Sequence, residues 1–168
     1  IEAGAGTLDE DGNFVTMVGD GVSTEYVITH NLGTLNYFLE LRTNDSERRY
    51  VSSRVNAMDM NTVRVSFTSP PAENGIILIM ARGDRTKSVY CEPIGNGRDN
   101  EYIVTHNLGM YNFFVELRTN DSDREYVDAT VTAINPVQAK IHFEYPVEEN
   151  GVVVMIAPCV ASKWGSRW

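Results

Sequence analysis

The chain contains one pentapeptide twice, first as Thr29-His30-Asn31-Leu32-Gly33 and then as Thr105-His106-Asn107-Leu108-Gly109. The sequence around each copy repeats at the same spacing. Residues 19–84 align with 95–160 without a gap, and 29 of the 66 aligned pairs are identical. The chain is therefore a tandem duplication, and its function must be sought in the repeated unit and in the segments outside it.

Length and charge bound the class of protein. The 168 residues suffice for two small domains. The formal net charge is −9 and no basic stripe is visible, so we expect no nucleic-acid partner. No apolar run reaches the roughly 18 residues that span a bilayer, so we expect no membrane span. The chain begins at Ile1, for which we expect a processed protein, a start that precedes Ile1, or an excised fragment.

The repeated unit predicts β-structure throughout. Residues 25–29 are rich in β-branched and aromatic side chains, and residues 37–42 and 62–67 alternate between apolar and polar. Residues 76–80 are apolar without alternation, which indicates a central strand buried on both faces. A further strand is predicted near 50–55. Short strands at this spacing predict an all-β fold, with two tandem immunoglobulin-like or jelly-roll-like β-sandwich modules.

The repeat also predicts the domain organisation. Residues 1–18 have no copy before the second unit and are interpreted as an N-terminal arm. Residues 19–84 form module 1, residues 85–94 a linker, residues 95–160 module 2, and residues 161–168 a C-terminal tail.

The pentapeptide is interpreted as a structural turn motif in each module. Asn tolerates a positive φ, and Gly adopts one without steric cost, so the motif ends the first strand. His30 and His106 raise the alternative of a metal or acid–base site, but no acidic partner recurs at ligand spacing. We therefore expect no catalytic residue, no metal and no cofactor.

The polar side of the 37–42 strand is repeated as well. Glu40 and Arg42 recur as Glu116 and Arg118, and the pattern predicts a solvated strand face with cross-strand partners. Phe38 and Phe114 share that face, and an aromatic residue among charges favours a contact. The candidate assembly contacts are aromatic residues that the pattern leaves at such faces or outside the repeat: Phe14, Phe38, Phe114, Trp164 and Trp168.

The two cysteines, Cys91 and Cys159, flank the second repeat. Neither belongs to a Cys-x-x-Cys motif or a Cys/His cluster, which argues against zinc. Two alternatives stay open: a pair of free thiols, or a disulfide that closes the second module or links subunits.

The repeat resembles a small β-sandwich module of bacteriophage virion proteins. The resemblance rests on the Gly19-Asp20-Gly21 start, on the pentapeptide followed by Thr34, and on residues 62–71, Thr-Val-Arg-Val-Ser-Phe-Thr-Ser-Pro-Pro. The second copy departs from this pattern at Met110 and at residues 139–143. The resemblance covers both repeats but neither the arm nor the tail.

The resemblance implies a non-enzymatic structural protein on the surface of the virion, assembled in the host cytoplasm. The favoured role is a tail or neck fibre or appendage protein, a homo-oligomer whose modules act as spacers and bind other virion proteins. One alternative is a decoration protein on the outside of the capsid. Another is a carbohydrate-binding module for a host surface glycan, for which Tyr37, Tyr50 and Tyr111 are the candidate aromatics, although the pattern mostly directs them inward.

Overall fold

The structure, a computed structural model, describes residues 1–3, 6–9, 12–82, 90–111 and 113–158. No helix in these ranges has the length and apolar character needed to cross a bilayer. The described chain forms thirteen strands: β1 (Thr7–Leu8), β2 (Phe14–Val18), β3 (Glu25–Thr29), β4 (Tyr37–Thr43), β5 (Arg54–Ala57), β6 (Thr62–Ser66), β7 (Ile76–Arg82), β8 (Tyr90–Ile94), β9 (Glu101–Thr105), β10 (Phe113–Thr119), β11 (Thr130–Asn135), β12 (Gln138–His142) and β13 (Val152–Pro158).

Each module is built from two antiparallel sheets. In the first module the strand orders are β1-β2-β7-β4 and β3-β6-β5, and in the second they are β10-β13-β8 and β11-β12-β9. The inward side chains of the two sheets form one hydrophobic cluster in each module. The predicted all-β, sandwich-type fold is confirmed.

The central strand β7 is buried on both faces, as its unbroken apolar sequence predicts. Leu78 and Met80 lie in the core of the first module. On the opposite face, Ile77 and Ile79 pack in a third cluster that includes Phe114 of the second module. The lack of alternation in this strand therefore reflects a second hydrophobic contact, made between the modules.

The module boundaries differ from those predicted. β2 pairs with β7, with Phe14 opposite Met80, and β8 pairs with β13, with Tyr90 opposite Ile156. Residues 14–18 and 90–94 are therefore strands of the two modules rather than parts of an arm and a linker. The alignment missed them because the two strands share no identical residue at equivalent positions.

The predicted strand near 50–55 is also shifted. Only Arg54–Ala57 forms the hairpin partner of β6. The preceding residues, 50–53, form isolated bridges: Tyr50 and Val51 bond to β4 of their own module, and Tyr50 and Ser53 pair with the second module. Residues 50–53 therefore serve a contact between the modules.

Two glycines at equivalent positions explain why each repeat begins with Gly-x-Gly. Gly19 and Gly95 have φ values of 129° and 127°. A Cβ at Gly19 would lie 1.9 Å from the carbonyl oxygen of Ala72, and one at Gly95 would lie 1.8 Å from that of Glu148. Only glycine fits this close approach of two backbones.

Candidate interaction site between the two modules

The two modules meet along one edge strand from each. β4 and β10 are terminal strands of their sheets, so each has backbone groups without a sheet partner on one side. Leu39 lies opposite Glu116, and Val115 lies opposite Glu40. The two strands therefore run antiparallel past each other.

A reciprocal pair of hydrogen bonds joins these edges. The backbone N–H of Leu39 donates to Oε2 of Glu116 at 2.7 Å, and the N–H of Val115 donates to Oε2 of Glu40 at 2.8 Å. Leu39 and Val115 occupy equivalent positions in the two repeats, as do Glu40 and Glu116. The interface is therefore self-complementary, like that of a twofold-symmetric dimer.

A second seam repeats this symmetry in the backbone. Tyr50 and Ala129 exchange both hydrogen bonds, at 2.8 and 3.3 Å, and Ser53 and Tyr126 do the same at 3.3 and 2.8 Å. Between them, the backbone N–H of Ser52 donates to the carboxylate of Asp128. The two segments form a short antiparallel pairing across the module boundary.

Each tyrosine of this seam packs in the hydrophobic core of the other module. Tyr50 packs in the hydrophobic cluster of the second module, and Tyr126 packs in that of the first. The guanidinium of Arg42 lies 4.6 Å from the ring centroid of Tyr50, and that of Arg118 lies 4.4 Å from the ring of Tyr126. Each arginine thus covers an aromatic ring that is itself anchored in the neighbouring module.

The prediction of a solvated face for the Glu/Arg pairs is wrong. Glu40 and Glu116 are 0% and 1% exposed, because the other module covers the strand face that would otherwise meet water. Phe38 and Phe114 lie in the cluster shared by both modules. Within the described chain they make a contact between modules of one molecule, rather than a contact with another subunit.

Burial controls the titration of this site. Desolvation raises the pKa of Glu116 to about 6, opposed by the nearby Arg118 guanidinium and by the hydrogen bond from Leu39. The ion pair from Arg118 Nε to Glu116 Oε1 measures 3.2 Å. Desolvation also raises the pKa of Tyr126 well above its ordinary value. Glu116 therefore takes up a proton more readily than an exposed carboxylate does.

The pentapeptide forms a turn at the end of β3 in the first module and of β9 in the second. Nδ1 of His30 accepts the backbone N–H of Leu32 at 3.1 Å, and Nδ1 of His106 accepts that of Leu108 at the same distance. Asn31 has a φ of 55° and Gly33 one of 68°, with matching values in the second copy. Burial lowers the pKa of both histidines, so the neutral imidazole is the form that fits this turn.

The remaining predicted residues fall in different places. Phe14 is 5% exposed and packs in the core of the first module against His30, so its prediction as an assembly contact is wrong. The prediction failed because residues 14–18 were interpreted as part of an arm, whereas they form β2 of the first module. Cys91 is an exposed free thiol on β8. Cys159, Trp164 and Trp168 lie outside the described residues.

The oxygen-rich turns at 44–46 and 121–123 use an aspartate to bind their own backbone. Oδ1 of Asp45 accepts the Thr43 hydroxyl at 2.8 Å and the amides of Glu47 and Arg48 at 3.0 and 3.1 Å. Asp121 makes the same set of contacts in the second copy. These oxygens are occupied in closing a hairpin, and no group of three ligand side chains occurs in the described ranges.

Sequence reasoning missed the residues of the second seam. Tyr50 and Tyr126 were known to be repeated, but nothing in their spacing showed that they bind across modules. Ser52 and Asp128 differ between copies and carried no signal. The one sequence signal for this interface was the continuous apolar run of β7, since both faces of such a strand must pack against other residues.

The arrangement defines a protein of two β-sandwich modules joined by a reciprocal interface, whose buried polar groups hold strand edges together. Comparison with known protein families, curated protein sequences and solved structures finds no match for this chain.

Proposed function

We propose that the chain is a non-enzymatic structural component of a bacteriophage particle, a fibre or appendage protein of the tail or neck. The observation that carries the proposal is the reciprocal burial of Glu40 and Glu116 between the modules. This contact locks the two modules into one block, which suits a spacer that must transmit load and keep its shape. The resemblance of both repeats to a virion module supports the same role.

The use of the repeated motif also supports this proposal. The His30 and His106 side chains are buried and bind the backbone of their own turns. The residues that first suggested chemistry in the sequence therefore serve the architecture of each module. A protein whose repeated polar residues are used in this way is best explained as a building element.

The two ends of the block present apolar side chains that suit contacts with neighbours. In the first module, the N–H of Thr34 in the turn before β4 donates to the carbonyl of Met60 in the β5–β6 turn. In the second module, the N–H of Met110 before β10 donates to the carbonyl of Pro136 in the β11–β12 turn. Because β4 and β10 run antiparallel, these two turn pairs lie at opposite ends of the interface. Their exposed apolar residues are Leu35, Met58 and Met60 at one end and Tyr111, Ile134 and Val137 at the other.

Cryo-electron microscopy of the parent particle tests the proposal directly. We expect density for this chain on the tail or neck, with successive copies meeting through the turn pairs. Density on the outer face of the capsid would replace the fibre by a decoration protein. Absence of the chain from the particle would overturn both roles.

Solution measurements give an independent test. A fibre protein is expected to form a defined oligomer, measurable by multi-angle light scattering, and Leu35→Asp or Tyr111→Asp should weaken it. A monomer that binds purified capsids would contradict the fibre role. A glycan array tests the carbohydrate alternative, for which Tyr50 is buried and Tyr111 is exposed.

A further inference from the structure

The N-terminal arm shows what the edge of a module binds. Residues 1–3 run parallel to β3 along its outer edge. The N–H of Val27 donates to the carbonyl of Ile1 at 2.7 Å, and the N–H of Ala3 donates to the carbonyl of Val27 at 3.0 Å. Ala3 also packs against the core of the first module. The arm thus adds a short strand to one of the two sheets.

The same arm then continues to the other sheet. Thr7 lies opposite Val15 and Leu8 opposite Phe14, so β1 extends the sheet at β2. A Cβ at Gly6 would lie 2.3 Å from the Phe14 ring, so the arm passes in close contact with the side of the sandwich. The arm therefore covers an edge of both sheets of the first module.

In the second module, the residues equivalent to 1–3 do not cover β9. The residues equivalent to 1–3 are 77–79, and these are fixed in the centre of β7. No backbone partner for the outer edge of β9 occurs among the described residues.

Side-chain exposure reflects this difference. Ile103, the equivalent of Val27, is 60% exposed, whereas Val27 is only partly exposed. Tyr26, beside Val27, is 2% exposed, and its equivalent Tyr102 is partly exposed. As far as the structure describes the chain, the second module thus carries the site without the strand that fills it in the first.

The β9 edge is suited to accept a strand. Ile103 pairs with Lys140 as Val27 pairs with Arg64, so the N–H and C=O of Ile103 point away from the sheet, as those of Val27 do. β8, by comparison, contains Pro93, which has no N–H to donate. Proline at an edge strand commonly prevents the pairing of a further strand. β9 has no proline.

We propose that the outer edge of β9 binds an extended segment of a partner polypeptide by parallel strand addition at Ile103. The segment has the chemistry of residues 1–3, with a small apolar side chain at its third position to take the place of Ala3. Backbone hydrogen bonds supply the affinity in this mode of recognition, and the contact of the small side chain with the module, as made by Ala3 in the first module, supplies selectivity. The inference does not depend on the proposed function.

The occupant is a different polypeptide rather than a second copy of this chain. Each copy has one arm and two sites, and its arm already fills the site at β3. Exchange of arms between copies would break as many hydrogen bonds as it forms, so it would bring no net gain. A partner with a free extended segment gains the bonds of the vacant edge.

A synthetic peptide with the sequence of residues 1–13 serves as the probe for the full-length protein. In nuclear magnetic resonance titrations at millimolar peptide, we expect shifts centred on the amides of residues 101–105. Ile103→Pro removes the outward N–H and should weaken binding about fivefold or more, since one hydrogen bond is lost and the edge is distorted. Ile103→Ala keeps the N–H and serves as the matched control.

A second measurement guards against misfolding of the proline variant. A nitroxide attached at position 2 of the peptide should broaden the Ile103 amide of the wild-type protein most strongly. Broadening centred elsewhere, or no binding at millimolar peptide, would overturn the proposal. Concentration-dependent dimerisation of the full-length protein that Ile103→Pro abolishes would also overturn it, by making a second copy the occupant.

Discussion

The Glu116 carboxylate accepts a hydrogen bond of 2.7 Å from the backbone N–H of Leu39, a residue 77 positions earlier and in the other module. The bond closes an edge strand that would otherwise offer a free donor to any extended chain. The equivalent bond from Val115 to Glu40 does the same for the second module. Each module thus protects the other from edge-to-edge association.

Removal of this carboxylate should destabilise the whole chain. Glu116→Ala leaves the Leu39 N–H and the Arg118 guanidinium without their partner in a buried place, and we expect a loss of about 3 kcal/mol in the free energy of unfolding. Glu116→Gln keeps an acceptor oxygen and should cost about 1 kcal/mol. Urea denaturation followed by circular dichroism measures both. Equal stability of the alanine variant and the wild type would contradict the proposed role of the bond.

Stability should also depend on pH through Glu116. Its pKa is raised from 4.5 to about 6 in the folded protein, so the folded state binds a proton more tightly than the unfolded state. The free energy of unfolding should therefore fall as pH rises from 4.5 through 6, by about 2 kcal/mol in total. The difference in stability between Glu116→Gln and wild type should change over the same interval. A constant difference would show that Glu116 does not titrate there.

The two turn histidines should act in the opposite direction. Burial lowers the pKa of His30 and His106 below 6.5, so the unfolded state binds protons more tightly. Their contribution to stability is complete above pH 6.5 and is lost as pH falls from 6.5 towards the lowered folded pKa. The double variant His30→Asn/His106→Asn keeps an acceptor for Leu32 and Leu108 and should lack this dependence. Melting temperatures across the pH range provide the comparison.

The close approach at Gly19 predicts a position-specific effect of alanine. Gly19→Ala forces a Cβ against the Ala72 carbonyl and should destabilise the chain by clearly more than about 1 kcal/mol. Gly21→Ala is the matched control, since Gly21 also has a positive φ, of 74°, but no atom within 4 Å of the added Cβ. It should cost about 1 kcal/mol. Equal melting temperatures of the two variants would contradict the prediction, since they would show that the positive φ alone, and not the contact with Ala72, requires glycine at position 19.

The local elements of this fold could be predicted from the sequence, because their signals lie within a few residues. The strand at 25–29 was predicted with its observed bounds from β-branched and aromatic residues. The alternation of β4 correctly placed Leu39 and Leu41 in the core. The Asn31 and Gly33 positions were recognised from the conformational preferences of those residues.

The contact between the modules could not be predicted in this way. Glu40 has the local pattern of a solvated strand residue, and only a partner far along the chain buries it. That β2 and β8 belong to the modules was missed for a related reason. β2 is paired with β1 on its outer side, whereas β8 has no further strand among the described residues. The two strands share no identical residue at equivalent positions, so the repeat gave no signal there.

Because the two self-complementary modules are joined in one chain, their outer surfaces can differ in sequence. A homodimer of a single module would have to change both of its outer surfaces together, since one gene segment would encode both. Here the glutamate, arginine and tyrosine of the interface are identical in both copies, at 40, 42 and 50 and at 116, 118 and 126. Val27 and Ile103, or Leu35 and Tyr111, differ at equivalent outer positions. The duplication lets one symmetric scaffold present two unlike surfaces in a fixed ratio of one to one.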